Sequence, residues 1–476
     1  PGGGPGAAAR KPVEAMTRRS WWGAELLGRH ADDMVWARAA DREVTYGRLR
    51  RETAWQAEVL ARHGIRAGST VALYGSASFT KLWTLFALWS LGAQVVLVEP
   101  PSGPRPRGLP PGAGRVRFSV SLGESRGRPH DFVDECEVLV RRHPGGGPSV
   151  GGHCLVQFSS GTTGRPKAVG RSPRSLLDEL GRLAALEDMP RRGERVAVLT
   201  PLTHSFGLIA GVLHSLAVGA TLVMPVARTA RATVRAAADA HVVLGGPHHF
   251  RPLARSEPGG LPLLRLAVSS GDALPPEIAA LFRGRHGVRV GQAYGTTETG
   301  IVAADLTGRF GPAGIGTPVP GTRVRVVGGV LEVHVQESPY LYDDTPWAGG
   351  WMSTRDLVTR DPGTGALRLR GRVQGVGDAS VDLLRIESVL RAHRHITDAV
   401  VLGVGPIEAH VASSAELDRD ELRSWCRRFL GGAPVPDRYH LLRELPRTSG
   451  GKAVRDRGVL RRHRAHPPGA CRCVSW

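Results

Sequence analysis

The chain has 476 residues, is 41% hydrophobic and carries a formal net charge of +20. That length exceeds one ordinary domain and predicts two or three, with enough apolar residues to build cores. The positive charge is nearly all arginine and is spread along the chain, without a dense basic block or an aromatic-spaced basic stripe, which argues against nucleic acid as the partner.

Only four lysines occur: Lys11, Lys81, Lys167 and Lys452. Lys167 and Lys452 lie in loops rich in Gly, Ser and Thr. Such positions call for a compact, flexible ammonium rather than a guanidinium. The five cysteines, an odd number, make a poor disulfide framework, so a reducing cytoplasm is expected. Cys471 and Cys473 offer two ligands where structural zinc takes four, and are not read as a metal site.

Residues 1–20 begin PGGGPGAAARKP and read as a disordered leader without the apolar core of a signal peptide. Residues 43–64 carry apolar side chains at helical spacing (Leu49, Thr53, Ala57, Leu60) and stop at Gly64. STVALYG then reads as a strand, TKLWTLFALWSLG as a buried helix and AQVVLVEP as a second strand. Such alternation predicts a parallel sheet covered on both faces. Residues 101–152 are rich in Pro, Gly and Arg and are expected to include surface loops. A second αβ series follows, with strands HCLVQF, RVAVLTP, ATLVMP, HVVLGG, LRLAVSSG and RVGQAYG. Residues 205–227 contain no Asp, Glu, Lys or Arg and approach the ~20 residues of a membrane span. They also hold His214, Gly219 and Pro225, so the reading is a buried helix over 207–218, a glycine turn and a strand, with no membrane partner.

From about 314 the texture changes to short β segments (TRVRVVGG, VLEVHVQ, ALRLRGR) that predict a small β-rich subdomain. GRVQGV, with two glycines, marks a hinge at 371–376. Beyond it come a helix (382–393), a strand (398–404), a helix (418–430) and a basic tail. The expected domains are a core over 21–370 and a C-terminal unit over 377–460, with the tail at 461–476.

Four stretches carry candidate chemistry. FSSGTTGRPKAVG (158–170) follows a strand. Amides freed by glycine, with the hydroxyls of Ser159, Ser160, Thr162 and Thr163, can wrap an anion, and Lys167 adds charge. It is not a P-loop, because Gly161 and Gly164 are too close and Lys167 follows Pro166. A plain Ser/Thr/Gly turn is the other reading. AYGTTETG (293–300) lies at the carboxyl end of a strand, where open α/β sheets bind ligands. There Glu298 offers a hard oxygen for Mg²⁺ and Tyr294 a flat face for a base, or the stretch is a solvated polar turn. STRDLV (353–358) places Asp356 where one carboxylate can accept from both ribose hydroxyls, or simply form a surface ion pair. Arg372 carries the same ambiguity. LPRTSGGKAVR (445–455) is a second such loop around Lys452, or a mobile basic turn. HSFG at 204–207 resembles a nucleophile elbow, but Thr203 replaces its first glycine, so a serine hydrolase is not read.

In this order and spacing the stretches resemble the adenylate-forming superfamily of acyl- and aryl-CoA synthetases, peptide-synthetase adenylation domains and luciferases. The likeness runs from about residue 43 to 455. FSSGTTGRPK, AYGTTETG and LPRTSGGK are its most specific matches, with VTYGRLR, PLTHSFGL, SSGDALP, STRDL and GR in support. The resemblance implies an α/β fold: a large N-terminal domain of αβ-layered subdomains plus a small β-rich subdomain, and a small mobile α+β C-terminal domain.

The resemblance also implies a reaction. A carboxylate attacks the α-phosphate of Mg·ATP, giving an acyl-adenylate and pyrophosphate, and an acceptor then displaces AMP. By that likeness Ser159, Ser160, Gly161, Thr162, Thr163, Gly164 and Lys167 hold the β- and γ-phosphates. Tyr294 stacks on adenine, bordered by Gly271, Asp272 and Ala273, with Gly295 and Thr296 beside it. Thr297 meets the α-phosphate, Glu298 binds Mg²⁺, and Asp356 with Arg372 holds the ribose. Lys452 bridges carboxylate and phosphate, and His204 is grouped with it as catalytic.

The acyl pocket is expected to draw on His204, Phe206, Gly246, Ser269, Ser270, Gly291 and Ala293. No aspartate lies near TPLTHSFGL to hold an α-amino group, so an aryl or acyl acid is expected. The acceptor is CoA or the phosphopantetheine of an acidic carrier protein, in bacterial secondary metabolism. An amine or hydroxyl acceptor, or a degenerate nucleotide-binding member, is the alternative. Two departures stand out. Arg355 replaces the family's usual glycine, and the segment between Arg372 and Asp382 is about three residues short of the family's usual length.

Overall fold

TKLWTLFALWS is apolar on every side, and in the computed structural model it forms the helix Phe79–Ser90, buried from Phe79 to Trp89. A helix apolar all round needs partners all round. One core cluster supplies them, joining this helix to Val71, Val95 and Leu155 of one sheet and Val196, Leu222 and Val268 of another. Ser78 starts the helix by accepting from the Lys81 amide at 2.9 Å. The structure describes residues 21–99, 116–123, 132, 135–159, 167–341, 345–372, 381–403, 405–448 and 451–464.

The first sheet has six strands, in the order Val138–Arg142, Phe118–Leu122, Thr70–Tyr74, Gln94–Leu97, Leu155–Ser159 and Lys167–Arg171. The second has thirteen. Six of them are parallel neighbours: Val35–Ala39, Thr221–Val223, Arg195–Val198, Val242–Gly245, Leu266–Ser270 and Val290–Thr296. Beyond Val290–Thr296 the sheet turns antiparallel through Gly300–Asp305, Gly314–Pro318, Leu367–Arg372, Trp351–Arg360, Val330–His334 and Val324–Val327. This is the expected αβ-layered architecture with a β-rich extension.

The charge-free segment folds as read. A π-helix, Phe206–Leu213, continues into the α-helix His214–Val218, and Gly219 ends it at φ 80° before the strand Thr221–Val223. Among the described residues no helix is long and apolar enough to cross a membrane.

Two regions hold more regular structure than the sequence marks. Residues 101–152, read as including surface loops, also supply the strands Phe118–Leu122 and Val138–Arg142. FSVSL alternates buried and half-buried positions, a short signal flanked by Pro- and Gly-rich sequence that hides it. The helix Arg457–Arg464 runs on into the stretch read as the basic tail. Most of the hinge segment, 373–376, lies outside the described residues, as do the leader 1–20 and residues 465–476 with Cys471 and Cys473.

The C-terminal part has its own sheet, Ile396–Leu402, Glu408–Ser413 and Arg438–Leu442. Helices Leu383–Arg391 and Arg419–Leu430 pack on it around Leu390, Val401, Val411 and Leu422. Leu460 of the helix Arg457–Arg464 packs with Val400, Leu402 and Leu442 in a separate cluster. There Glu408, fully buried, meets Arg438 at 3.5 Å, Arg457 at 3.2 Å and Arg461 at 2.6 Å. His410 and His440 stack beside it, their ring centres 4.6 Å apart. These three donors form the group of metal-ligand type found among the described residues, but the three guanidiniums on Glu408 oppose a cation there.

Candidate active site

The carboxyl ends of Leu266–Ser270 and Val290–Thr296 open onto a cavity of about 920 Å³. Its walls come from both sheets and from the C-terminal part, with Ser159, Lys167, Asp272, Thr297, Asp356 and Lys452 all lining it. Residues almost 300 positions apart in sequence thus share one space.

The cradle of the first stretch is a hairpin. Leu155–Ser159 and Lys167–Arg171 pair antiparallel, with Ser159 opposite Lys167. Ser160 to Gly164 lie outside the described residues. Below the hairpin, Arg171 and Glu179 form a buried ion pair at 2.8 Å. The other Glu179 oxygen accepts from the Ile301 amide at 3.1 Å, just past the turn that carries Glu298. A Cβ at Gly300 would stand 2.1 Å from that carboxylate, so glycine is required there. One buried pair therefore braces both the Lys167 strand and the Glu298 turn. The turn also locks itself, since Thr296 and Thr299 exchange amide-to-hydroxyl bonds at 3.2 and 3.3 Å. Glu298 lines the cavity and makes no ion pair among the described residues, so this hard oxygen donor fits a magnesium ion.

Asp356 is 8% exposed. Its carboxylate accepts from the Tyr294 hydroxyl at 2.5 Å and pairs with Arg372 Nε at 3.3 Å. Burial pushes its carboxyl above the ordinary value, and Arg372 offsets part of that. Burial raises the Tyr294 hydroxyl too, with Asp356 adding to it. Tyr294, expected to offer a flat face, also anchors the Asp356 carboxylate through its hydroxyl.

Lys452 reaches in from the C-terminal part. A Cβ at Gly271, whose φ is 95°, would stand 3.1 Å from Lys452 Cε and 3.7 Å from its Nζ. Burial draws the ammonium's pKa below its ordinary value, and Asp272 is the strongest pull back. The turn behind it is self-bonded. Thr448 accepts from the Lys452 amide through Oγ1 at 3.2 Å and donates its own amide to Lys452 O at 2.8 Å, while Arg447 caps Gly451 O at 2.9 Å. Arg251 donates to Thr397 O at 3.0 Å and Arg455 lies 3.9 Å from Asp272, tying the two parts together.

His204 lines the cavity, and burial pushes its pKa down to about 3, so it is neutral. Its Nδ1 accepts from the Phe206 amide at 3.3 Å, which leaves the proton on Nε2. Gln157 holds this loop, donating to Thr203 O at 2.8 Å and accepting from Ser205 at 2.7 Å.

Of the expected pocket residues, His204, Ser269 and Ala293 line the cavity, as do Gly271, Ala273, Gly295, Thr296 and Arg372. Four do not. Phe206, 6% exposed, points into the core. Gly291 lies against backbone, since a Cβ there would stand 2.0 Å from Leu306 O. Gly246 and Ser270 border a separate space of about 30 Å³ behind Lys452, beside His248. Sequence reasoning missed Glu99, Met352, Arg368 and Arg370, which lie on the walls without a motif to mark them.

Residues 139–337 match the AMP-binding enzyme family and residues 385–452 its C-terminal domain. The chain is 29% identical over 345 residues to a sulfoacetate–CoA ligase of Cupriavidus necator, covering 63% of this chain and 65% of that protein. So the chain spans just under two thirds of that relative's length. A feruloyl-CoA synthase of Amycolatopsis is 26% identical, with coverages of 88% and 94%. In fold it is similar to the amide bond synthetase McbA from Marinactinospora thermotolerans, with a TM-score of 0.70, 24% identity and coverages of 93% and 99%. By its sequence matches, and by the fold they accompany, the chain belongs to the adenylate-forming superfamily of AMP-binding enzymes.

Proposed function

We propose that the protein is an ATP-dependent, AMP-forming ligase that activates a carboxylic acid without an α-amino group. The observation that carries this is the placement of Lys452 in one cavity with Glu298 and Asp356. Asp356, with Arg372 and Tyr294, takes the ribose. Ser159 and Lys167, with the loop between them, take the β- and γ-phosphates. Thr297 meets the α-phosphate. A magnesium ion held by Glu298 would screen phosphate charge. The acid's oxygen attacks the α-phosphorus, the bond to the bridging oxygen breaks, and pyrophosphate leaves with the electron pair. Lys452 stabilises charge developing between carboxylate and phosphate, a preorganised contribution. Neutral His204 donates a hydrogen bond from Nε2 without competing for that charge.

The acyl group then passes to a thiol, of CoA or of a carrier protein's phosphopantetheine, in the bacterial cytoplasm and in secondary metabolism. The CoA ligases among the relatives support this acceptor. The C-terminal part, hinged at 371–376, withdraws Lys452 between the two steps. An amine acceptor is the second reading, favoured by the fold shared with an amide bond synthetase. Pyrophosphate exchange across a panel of carboxylic acids tests the first step, and a thiol, amine and alcohol panel read by mass spectrometry tests the second. Exchange with no acid would refute the proposal.

A further inference from the structure

Two residues other than glycine adopt a positive φ among the described residues: Ala40 at 52° and Arg355 at 61°. Ala40 sits in the tight turn between Val35–Ala39 and Arg42–Thr45. Arg355 sits inside a strand. Glu332 pairs with Ser353 and Val330 with Leu357, so Trp351–Arg360 carries two more residues there than its partner. The result is a bulge. Thr354 Oγ1 fills the broken ladder, donating to Leu331 O at 2.7 Å and accepting from the Asp356 amide at 3.1 Å. Thr354 and Asp356 turn inward, and Arg355 is left exposed at the apex, on the cavity wall.

The left-handed region penalises every L side chain, and glycine escapes the penalty. A chain with 62 glycines has an arginine here. Among the described residues the guanidinium gains nothing that would offset the cost. It makes no hydrogen bond or ion pair among the described residues. Its cationic neighbours differ: Arg372 pairs with Asp356, Arg370 with Asp382 at 3.6 Å, and Arg455 with Glu387. Strain held at a cavity wall with no internal return points to a ligand.

Position along the strand says which part of the ligand. Asp356 marks the sugar end. Met352, at the other end, accepts from the Tyr340 hydroxyl at 3.5 Å, and Tyr340 bridges to Val169, two residues from Lys167. Arg355 therefore stands between the ribose carboxylate and the cradle hairpin. We propose that Arg355 contacts the β- and γ-phosphates of the bound nucleotide, as a second cation beside Lys167. This rests on the nucleotide-binding reading above.

Calorimetric titration of R355G with MgATP, inorganic pyrophosphate and AMP tests it. Glycine suits this φ, so the variant should melt no lower than the wild type. ATP and pyrophosphate should bind roughly tenfold more weakly, the loss of one charge-assisted contact, while AMP stays within about twofold. R355K should recover part of the loss. Unchanged ATP affinity overturns the proposal. So does an equal loss for AMP, which would place the effect at Asp356 through the bulge. The ATP-to-AMP ratio within each variant decides the matter even if its melting point moves. If no acid supports exchange but R355G still loses ATP, the reaction falls and the contact stands.

Discussion

Asp356 and Glu408 are both buried carboxylates bound by arginine, and their surroundings differ in kind. Asp356 has one arginine and one tyrosine, and its remaining face opens to a large cavity. Glu408 has three arginines and lies beside a histidine pair under a helix. Burial wins at Asp356 and raises its carboxyl. At Glu408 burial is the largest influence, yet Arg461 and Arg457 together outweigh it and bring the carboxyl down. A carboxylate left short of counter-charge beside a cavity has capacity for a ligand. One that is saturated and sealed holds elements together.

The sharpest break of this comparison is Glu408→Ala. It removes the buried partner of three guanidiniums that are 59%, 30% and 48% exposed and so stay solvated, and should cost about 1–3 kcal/mol by denaturant unfolding. ATP affinity of the folded protein should not change. Lys452→Ala, on the cavity side, should do the reverse. Pyrophosphate exchange should fall about 10²–10³-fold with the melting point kept, since the loss is of charge stabilisation alone. Asp356→Ala should weaken ATP and AMP alike, by roughly tenfold or more, with little change in stability, as loss of a charged hydrogen-bond acceptor predicts.

The smallest effect is in pH. Glu408, lowered from its ordinary 4.5, contributes stability that is present above that value and lost as pH falls through its folded pKa. Asp356, raised from 3.8, has the opposite sign, costing stability as pH rises through its folded pKa. Below about pH 5, Glu408→Ala should therefore flatten the acid loss of stability, and Asp356→Ala should steepen it. Stability curves of the two variants against wild type check the signs.

Much of the cavity was legible in sequence because its parts are loops with unusual composition at strand ends. Lys452 and Lys167 stood out because the chain hardly uses lysine. The walls were less legible. Phe206 and Gly291 were expected in the pocket, but Phe206 turns into the core and Gly291 sits deeper in its strand, closed in by Leu306 O. The Arg171–Glu179 brace was invisible, because no local pattern marks a strand arginine and a helix glutamate as partners, or ties that glutamate to the distant Ile301 amide. FSVSL went unread because five alternating residues are a weak signal among prolines and glycines.

The turn that carries Lys452 is bonded to itself before it is bonded to anything else. Its backbone is thus a fixed mount, and the point from which the flexible lysine stem reaches out is set by how the small sheet seats. Arg251, on Thr397 O, and Arg455, beside Asp272, hold that seat. Loosening either should blur where the charge arrives, leaving the lysine chemically intact and mechanically out of true.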